Sequence, residues 1–470
     1  MDQSLLFAPI RELAHKIREG ETSSLSVMES LLERINRLNP QVQAYLTVSQ
    51  ERSLEAAQQK DREMRAGKNS GPLHGVPLAL KDNIETKGLR TTNGAKRLHD
   101  HIPSADATIV KKLKKAGAII FGKLNMHEIA LGGTTDNPHY GFTRNPWDSS
   151  RIPGGSSGGS ASAVAAGMCP ASFGTDTAGS IRIPAALCGI VGLKSTLGRV
   201  SRSGVFLLSW SMDCVGPITR TVRDAALLLE VIGGFDPKDP VTSRKRLPRY
   251  TEELEAGIKG IRVGVCKEYF SDLVEPDVHR AFQGAMTEIS RLGIDVVELP
   301  LNLERAHVSA AHEIILASEA ATYYEPHLRA GIGDFGPDVR LRLQRGLAIP
   351  AVHYLKAQQV RTVIQQRFRD LFDQIDVMAS PTVAVPAPLR GQQNVSAGGV
   401  QRSLREALVS LTLPVNLVGF PAITVPCGFS SEGLPLGLQL VGRPFDEATL
   451  LRVAHGFESA TPWKDQRPPL

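Results

Sequence analysis

Two short stretches of this chain place serines where they could act as nucleophiles. PGGSSGGSASAVAAG (153–167) sets Ser156 and Ser157 between paired glycines at the start of an alanine-rich helix. Backbone amides at a helix start attract developing negative charge, and glycine lets a substrate approach the main chain. FGTDTAGSIRIPAALCGIVGLK (173–194) puts Ser180 directly after Thr177, Ala178 and Gly179, whose consecutive amides could face an oxyanion. A third group is Lys81, which ends the apolar run of VPLALKDNIET. Burial lowers a lysine pKa, and a neutral amine can act as a general base. Each stretch also has a plain structural reading: a flexible turn, a tight turn, and a strand-end lysine reaching back to water.

Other chemistries find less support. Residues 154–158 and 155–159 match GxSxG, the nucleophile elbow, but that motif needs a strand just before it and DSSRIP (148–153) is a poor one. Among the twelve histidines, His99 with His101, and His307 with His312 and Glu313, lack zinc-site spacing. No Walker or GxGxxG phosphate loop occurs. Neither a metal nor an organic cofactor is expected.

The elements that must position these groups can be traced along the chain. The first 70 residues read as helices: FAPIRELAHKIREG ends at Gly20, Ser24 is placed to cap a second helix that stops before Pro40, and a polar third covers about 50–66. LHGVPLALKDNI and AIIFGK then read as strands. From 124 to 220 the chain is rich in small and polar residues and poor in charge, which predicts a compact core with close backbone approaches. ASFGTD and CGIVGLK are its strand-like pieces. A helix over 222–232 and a linker-like polar stretch over 234–250 lead into a β-α-β pattern: IRVGVC, a helix near 276–292, and IDVVELP. Long helices to about 376 precede the strands VMASPT, PAITVPCGF and LPLGLQLVG, and EATLLRVAHGFE closes the chain. The uneven alternation predicts an α/β fold with a mixed sheet covered by helices on both faces.

Composition sets the surroundings. With 470 residues, 42% hydrophobic and 22% charged, the chain reads as a soluble globular protein. No apolar run approaches the roughly 20 residues that span a bilayer, and MDQSLLFAPIRELAHK is no secretory signal. The five cysteines are scattered and form no CxxC pair, as in a reducing compartment. A cytoplasmic location follows. The formal charge of +6 comes from interspersed residues, and the densest cluster, Lys111, Lys112, Lys114 and Lys115, reads as a solvated helix face. No nucleic-acid or membrane partner is expected.

Taken together, the three clusters resemble the amidase-signature family. The resemblance also covers GKLNMHEIALGGTTDNPHYGFTRNPWD (122–148), VGPITRTVRDAALLL (215–229) and LPVNLVGFPAITVPCG (413–428), and so nearly the whole chain. It implies one large domain over 1–470: a helical region (1–70), a signature core (71–230), and a second part of the same sheet with its covering helices (231–470). The 234–250 stretch then becomes a surface excursion. The family's Ser–cis-Ser–Lys triad falls on Ser180, Ser156 and Lys81, with a cis peptide between Gly155 and Ser156. Thr177, Ala178 and Gly179, with Ser180's own amide, are the implied oxyanion donors, and Asp176 and Arg182 the braces of the nucleophile loop. Leu131, Gly132 and Gly133 are expected to line the substrate pocket.

The family spans broad amidases, fatty acid amide hydrolases, allophanate-type hydrolases and the glutamine-hydrolysing A subunit of aminoacyl-tRNA amidotransferases. Length and flanking segments resemble the last group. Where that subunit carries an acid for glutamine, however, this chain aligns Val409, although Arg342 matches its basic residue. GVFLLSW (204–210) and the polar loop 389–403, read as a mobile lid, suggest a roomy and less polar mouth. The expectation is a stand-alone hydrolase, monomer or homodimer, acting on small apolar or aryl amides and anilides, and on carbamates or esters. The alternatives are the amidotransferase component and a non-catalytic family member.

Overall fold

Short apolar runs bounded by glycine, proline or asparagine become the strands of one eleven-stranded mixed sheet in a computed structural model that describes residues 4–470. From one edge the order is Tyr45–Val48, Ile119–Leu124, Pro77–Lys81, Ser172–Asp176, Cys214–Thr219, Val191–Lys194, Ala422–Phe429, Pro435–Gly442, Val377–Pro381, Arg262–Val265 and Asp295–Glu298. Pro77–Lys81 runs parallel to both its neighbours, and Val377–Pro381, Arg262–Val265 and Asp295–Glu298 run parallel to one another. The pairings between these two groups are antiparallel. Because every region of the sequence contributes strands, the chain closes as a single α/β domain.

Helices flank the sheet. Side chains alternate along a strand, so positions 437 and 442 of Pro435–Gly442 face opposite ways. A Cβ at Gly437 would meet Ala186 of the helix Arg182–Cys188, and one at Gly442 would meet Leu450 of the helix Glu447–Ala460. The two helices therefore cover opposite faces.

The N-terminal helices differ in detail from the sequence expectation. The second, Ser24–Val42, is capped by Ser23, whose side chain accepts the Ser26 amide at 3.0 Å, and it runs through Pro40. Proline removes only its own N–H, and here the end is held three residues later by Gln43, whose amide donates to Asn39 at 2.8 Å. An edge strand, Tyr45–Val48, also lies in the region read as helical. Its four residues make too short a pattern to register, and its pairing partner lies some 75 residues downstream, at Ile119–Leu124. The 234–250 stretch is fastened to the core: Asp239 accepts Arg202 Nε at 3.1 Å, and Asp236 accepts the hydroxyls of Thr108 and Ser201 at 2.6 Å each.

Candidate active site

Lys81 is the last residue of Pro77–Lys81, and Ser180 follows the neighbouring parallel strand Ser172–Asp176. Both therefore stand at the same, carboxyl end of the sheet, where open α/β sheets bind ligands. Ser156 reaches this end from the turn before the helix Gly158–Ala165. That turn is packed too closely for side chains: a Cβ on Gly155 would lie 2.8 Å from Thr135 Oγ1. The Gly155–Ser156 peptide is cis. Lys81 Nζ lies 2.7 Å from Ser156 Oγ and 2.8 Å from Thr175 Oγ1. Lys81 and Ser156 are fully buried, whereas Ser180 is 7% exposed and lines the adjoining cavity. Of the three, only Ser180 can touch a bound molecule.

Three lysines on the sheet are fully buried, and their partners distinguish them. Lys123 donates to the Ile84 carbonyl and to Thr91 Oγ1, and Lys194 to the carbonyls of Ser195 and Phe420. A carbonyl only accepts and so favours an ammonium. The partners of Lys81 are two hydroxyls, which both donate and accept, so a neutral amine is satisfied there as well. Burial brings the Lys81 pKa down to about 7, against the opposing pull of Asp213 and then Asp176. No charge beyond desolvation is needed to lower it.

The loop from 176 to 182 is fixed from below. Asp176 and Arg182, both fully buried, pair through Nε–Oδ2 and Nη2–Oδ1 contacts of 3.0 Å each. Arg182 also donates to Gln439, Asn416 and the Thr412 carbonyl. Burial alone would raise the Asp176 carboxyl; the Arg182 charge overcomes it and holds the group well below the usual carboxylate range. Removing one partner of such a pair typically costs about 3–5 kcal/mol. Asp176 takes the Gly179 amide at 2.8 Å and the Ile181 amide at 3.1 Å. Thr412 Oγ1 donates to the Ala178 carbonyl at 2.6 Å, and His312 Nε2 lies 3.2 Å from that of Thr177. Since C=O and N–H of one planar peptide point oppositely, these contacts also set where the amides of 178 and 179 aim. Thr177, Ala178 and Ser180 line the cavity, while the Gly179 amide is committed to Asp176.

Several of these groups have no signature in the sequence. Asp213, buried in a loop, accepts Thr177 Oγ1 at 2.6 Å and the amides of Leu208 and Ser209; burial raises it to about 6 against those bonds. His312, which reads in sequence as an ordinary histidine, and His127 flank the site. Burial pushes their pKa values down to about 4 and about 3, so both are neutral imidazoles. Among the described residues no group of three His, Cys, Asp or Glu could hold a metal ion. No helix among them is long and apolar enough to cross a membrane.

The cavity measures about 560 Å³. Leu131, Gly132 and Gly133 line it, as does Val409. The expectation that the apolar run 204–210 forms the mouth is corrected here. From 204–210 only Leu208 reaches the cavity, Trp210 lies 58% exposed on the surface, and Arg342, Arg405 and Asp338 lie in the lining. The loop 389–403 contains a hairpin, Asn394–Ala397 with Val400–Ser403, and Gly391, Gln392, Gln393 and Ser403 line the cavity.

A mixed α/β sheet that gathers a buried lysine and two serines at one end, with Ser180 facing a cavity, is the architecture the signature motifs imply. The chain belongs to the amidase-signature family: the family profile described as Amidase matches residues 26–451. It is an amidase-family hydrolase acting on amides. Within that family it is 41% identical to the A subunit of glutamyl-tRNA(Gln) amidotransferase from Thermosynechococcus vestitus, over 98% of this chain and 99% of that one. It is 43% identical to the protein of the same name from Chloroflexus aurantiacus, over 96% of each. The solved structure described as "An unexpected vestigial protein complex reveals the evolutionary origins of an s-triazine catabolic enzyme" superposes with a TM-score of 0.91 at 36% identity, covering 96% of this chain and 98% of that one.

These likenesses overturn two expectations. A stand-alone hydrolase of apolar or aryl amides, carbamates or esters gives way to the amidotransferase alternative, because similarity to chains of that name extends over nearly the full length. A partner list limited to a small molecule, without nucleic acid and with only a second copy, fails on the same ground, since those relatives are named as subunits of an amidotransferase for tRNA. The physical reason is that Val409 is one residue of a cavity wall that also carries arginines, and it does not represent the whole.

Proposed function

We propose that the chain is the amide-hydrolysing subunit of an amidotransferase assembly: it splits the side-chain amide of glutamine, and partner subunits direct the released ammonia to an aminoacyl-tRNA. The observation that carries this reading is the sealed 2.7 Å contact of Lys81 with Ser156 behind Ser180, which opens into a cavity shared with Arg342. Arg342 Nη1 already donates to the Leu131 carbonyl at 2.8 Å, and its remaining N–H groups suit the α-carboxylate of glutamine. The full-length likeness to subunits of that name supplies the rest.

Neutral Lys81 takes the Ser156 hydroxyl proton as Ser156 takes that of Ser180, and Ser180 Oγ attacks the amide carbon. The oxyanion is met by the amides of Thr177, Ala178 and Ser180, the loop residues that line the cavity. The ammonium of Lys81, again through Ser156, protonates the departing nitrogen, so the C–N bond breaks and ammonia leaves an acyl ester on Ser180. Water, activated by the same relay, cleaves that ester to glutamate. A cytoplasmic location belongs to this reading, and five buried cysteines without a disulfide accord with it.

Ammonia release decides the matter. With partner subunits present, the protein is expected to convert glutamine to glutamate and ammonia faster than it cleaves any p-nitroanilide. Anilide cleavage without glutaminase activity, whether the chain is isolated or in the assembly, would reject this reading.

A further inference from the structure

Ala178 lies in the cavity lining, and its amide makes no hydrogen bond to a described residue, whereas the Gly179 amide is spent on Asp176 at 2.8 Å. The open N–H belongs to the peptide that begins at the Thr177 carbonyl, and a planar trans peptide holds those two groups pointing opposite ways. A group that grips the carbonyl therefore aims the Ala178 amide. That group is His312, with Nε2 at 3.2 Å. Thr412, by contrast, grips the Ala178 carbonyl and so steers the Gly179 amide, which is already committed.

His312 is fully buried and stands outside the cavity lining, so it cannot touch a bound molecule. Its ring is a neutral imidazole with one N–H, and a carbonyl only accepts, so the hydrogen sits on Nε2. Nδ1 is then a bare acceptor, buried and without a donor among the described residues. A lone buried acceptor is a cost that a leucine at this position would not carry. The bond from Nε2 to Thr177 is what the imidazole alone supplies.

Thr177 is held a second time from the same helix. Its hydroxyl donates to Asp213 Oδ1 at 2.6 Å, Asp213 Oδ2 accepts the Ser209 amide at 3.1 Å, and the Ser209 hydroxyl donates to Glu319. His312, Leu316 and Glu319 share one face of the helix Arg305–Gly331, and Leu316 lines the cavity. One long helix thus braces the Thr177 carbonyl directly, and its hydroxyl through Ser209 and Asp213.

Resting on the Ser180 mechanism above, we infer that His312 is a positioning residue for amide hydrolysis: through the Thr177 carbonyl it aims the Ala178 amide at the charge that develops on the substrate's carbonyl oxygen. The aim counts in the transition state and little in the ground state, where that oxygen carries no full charge.

Glutamine hydrolysis by the full chain in its assembly tests this with two variants. Losing an oxyanion donor outright costs about a hundred- to a thousandfold in kcat, and a donor left in place but unaimed costs less. His312→Leu, which fills the site without a donor, should lower kcat at least about tenfold with KM within about threefold of the parent. His312→Gln, whose side-chain amide can offer an N–H near the Nε2 position, should keep at least about one third of the parental kcat. A smaller loss in His312→Leu, a loss carried by KM, or a His312→Gln protein below that third overturns the inference. Phosphonylation of Ser180 by a serine-directed fluorophosphonate places an oxygen in the same hole and needs no substrate. Its rate should fall in His312→Leu and recover in His312→Gln; a parental rate in His312→Leu overturns the inference as well. A parent that fails to hydrolyse glutamine while this labelling pattern holds would sink the glutaminase reading alone.

Discussion

Ser180→Ala is expected to lower amide hydrolysis by at least about ten-thousand-fold, the usual cost of deleting a nucleophile that acts with its relay as one unit. Ser180 is the only member of the proposed triad that lines the cavity, so no neighbour can replace it without moving. Its hydroxyl makes no hydrogen bond to a described residue, and its removal leaves no buried partner orphaned. Stability should therefore stay within about 1 kcal/mol of the parent, as thermal unfolding would show. Ser156→Ala is different in kind. It takes away a partner of Lys81 Nζ at 2.7 Å in a fully buried place, so it should impair both turnover and stability. A Ser180→Ala protein with more than about one hundredth of parental activity would remove Ser180 from the mechanism.

The second large effect concerns pH. A base must be neutral to accept a proton, and the Lys81 amine becomes neutral as pH rises through its value of about 7. Under saturating substrate the rate should climb about tenfold per unit well below pH 7 and level off about one unit above it, reporting a single deprotonation. The sign is fixed by burial, which disfavours the ammonium more than Asp213 and Asp176 favour it. Lys81→Ala should lose about a thousandfold or more at the plateau, with the residue depending on hydroxide. Lys81→Arg should do no better, because a guanidinium cannot accept the proton near neutral pH. Near-normal turnover in Lys81→Arg would make the lysine structural. A rate that falls on the alkaline side of pH 7 would contradict the proton direction itself.

Much of this site can be read from the chain because its signals are local. A lysine closing an apolar strand and serines set among glycines are each visible within a dozen residues. Most sheet strands are likewise marked by apolar runs between breakers. What escapes the sequence depends on contacts between distant positions. Thr175 meets Lys81 across 94 residues, and His312 meets Thr177 across 135; neither has a pattern of its own. The substrate side misleads for a related reason. Val409 stands out in the sequence, but Arg405, one helical turn earlier and in the same cavity wall, carries the opposite signal and has no motif to mark it. The apolar run 204–210 looks like a mouth because hydrophobicity does not say which way a loop turns, and here it turns mostly elsewhere.

Peptide mapping after reaction with a serine-directed fluorophosphonate tests the central claim most directly. The account predicts a single adduct, on Ser180, formed at a rate that follows the same ionisation near pH 7 and is suppressed in Lys81→Ala. An adduct on Ser156 or Ser157, or labelling of Ser180 that ignores both pH and Lys81, would contradict it.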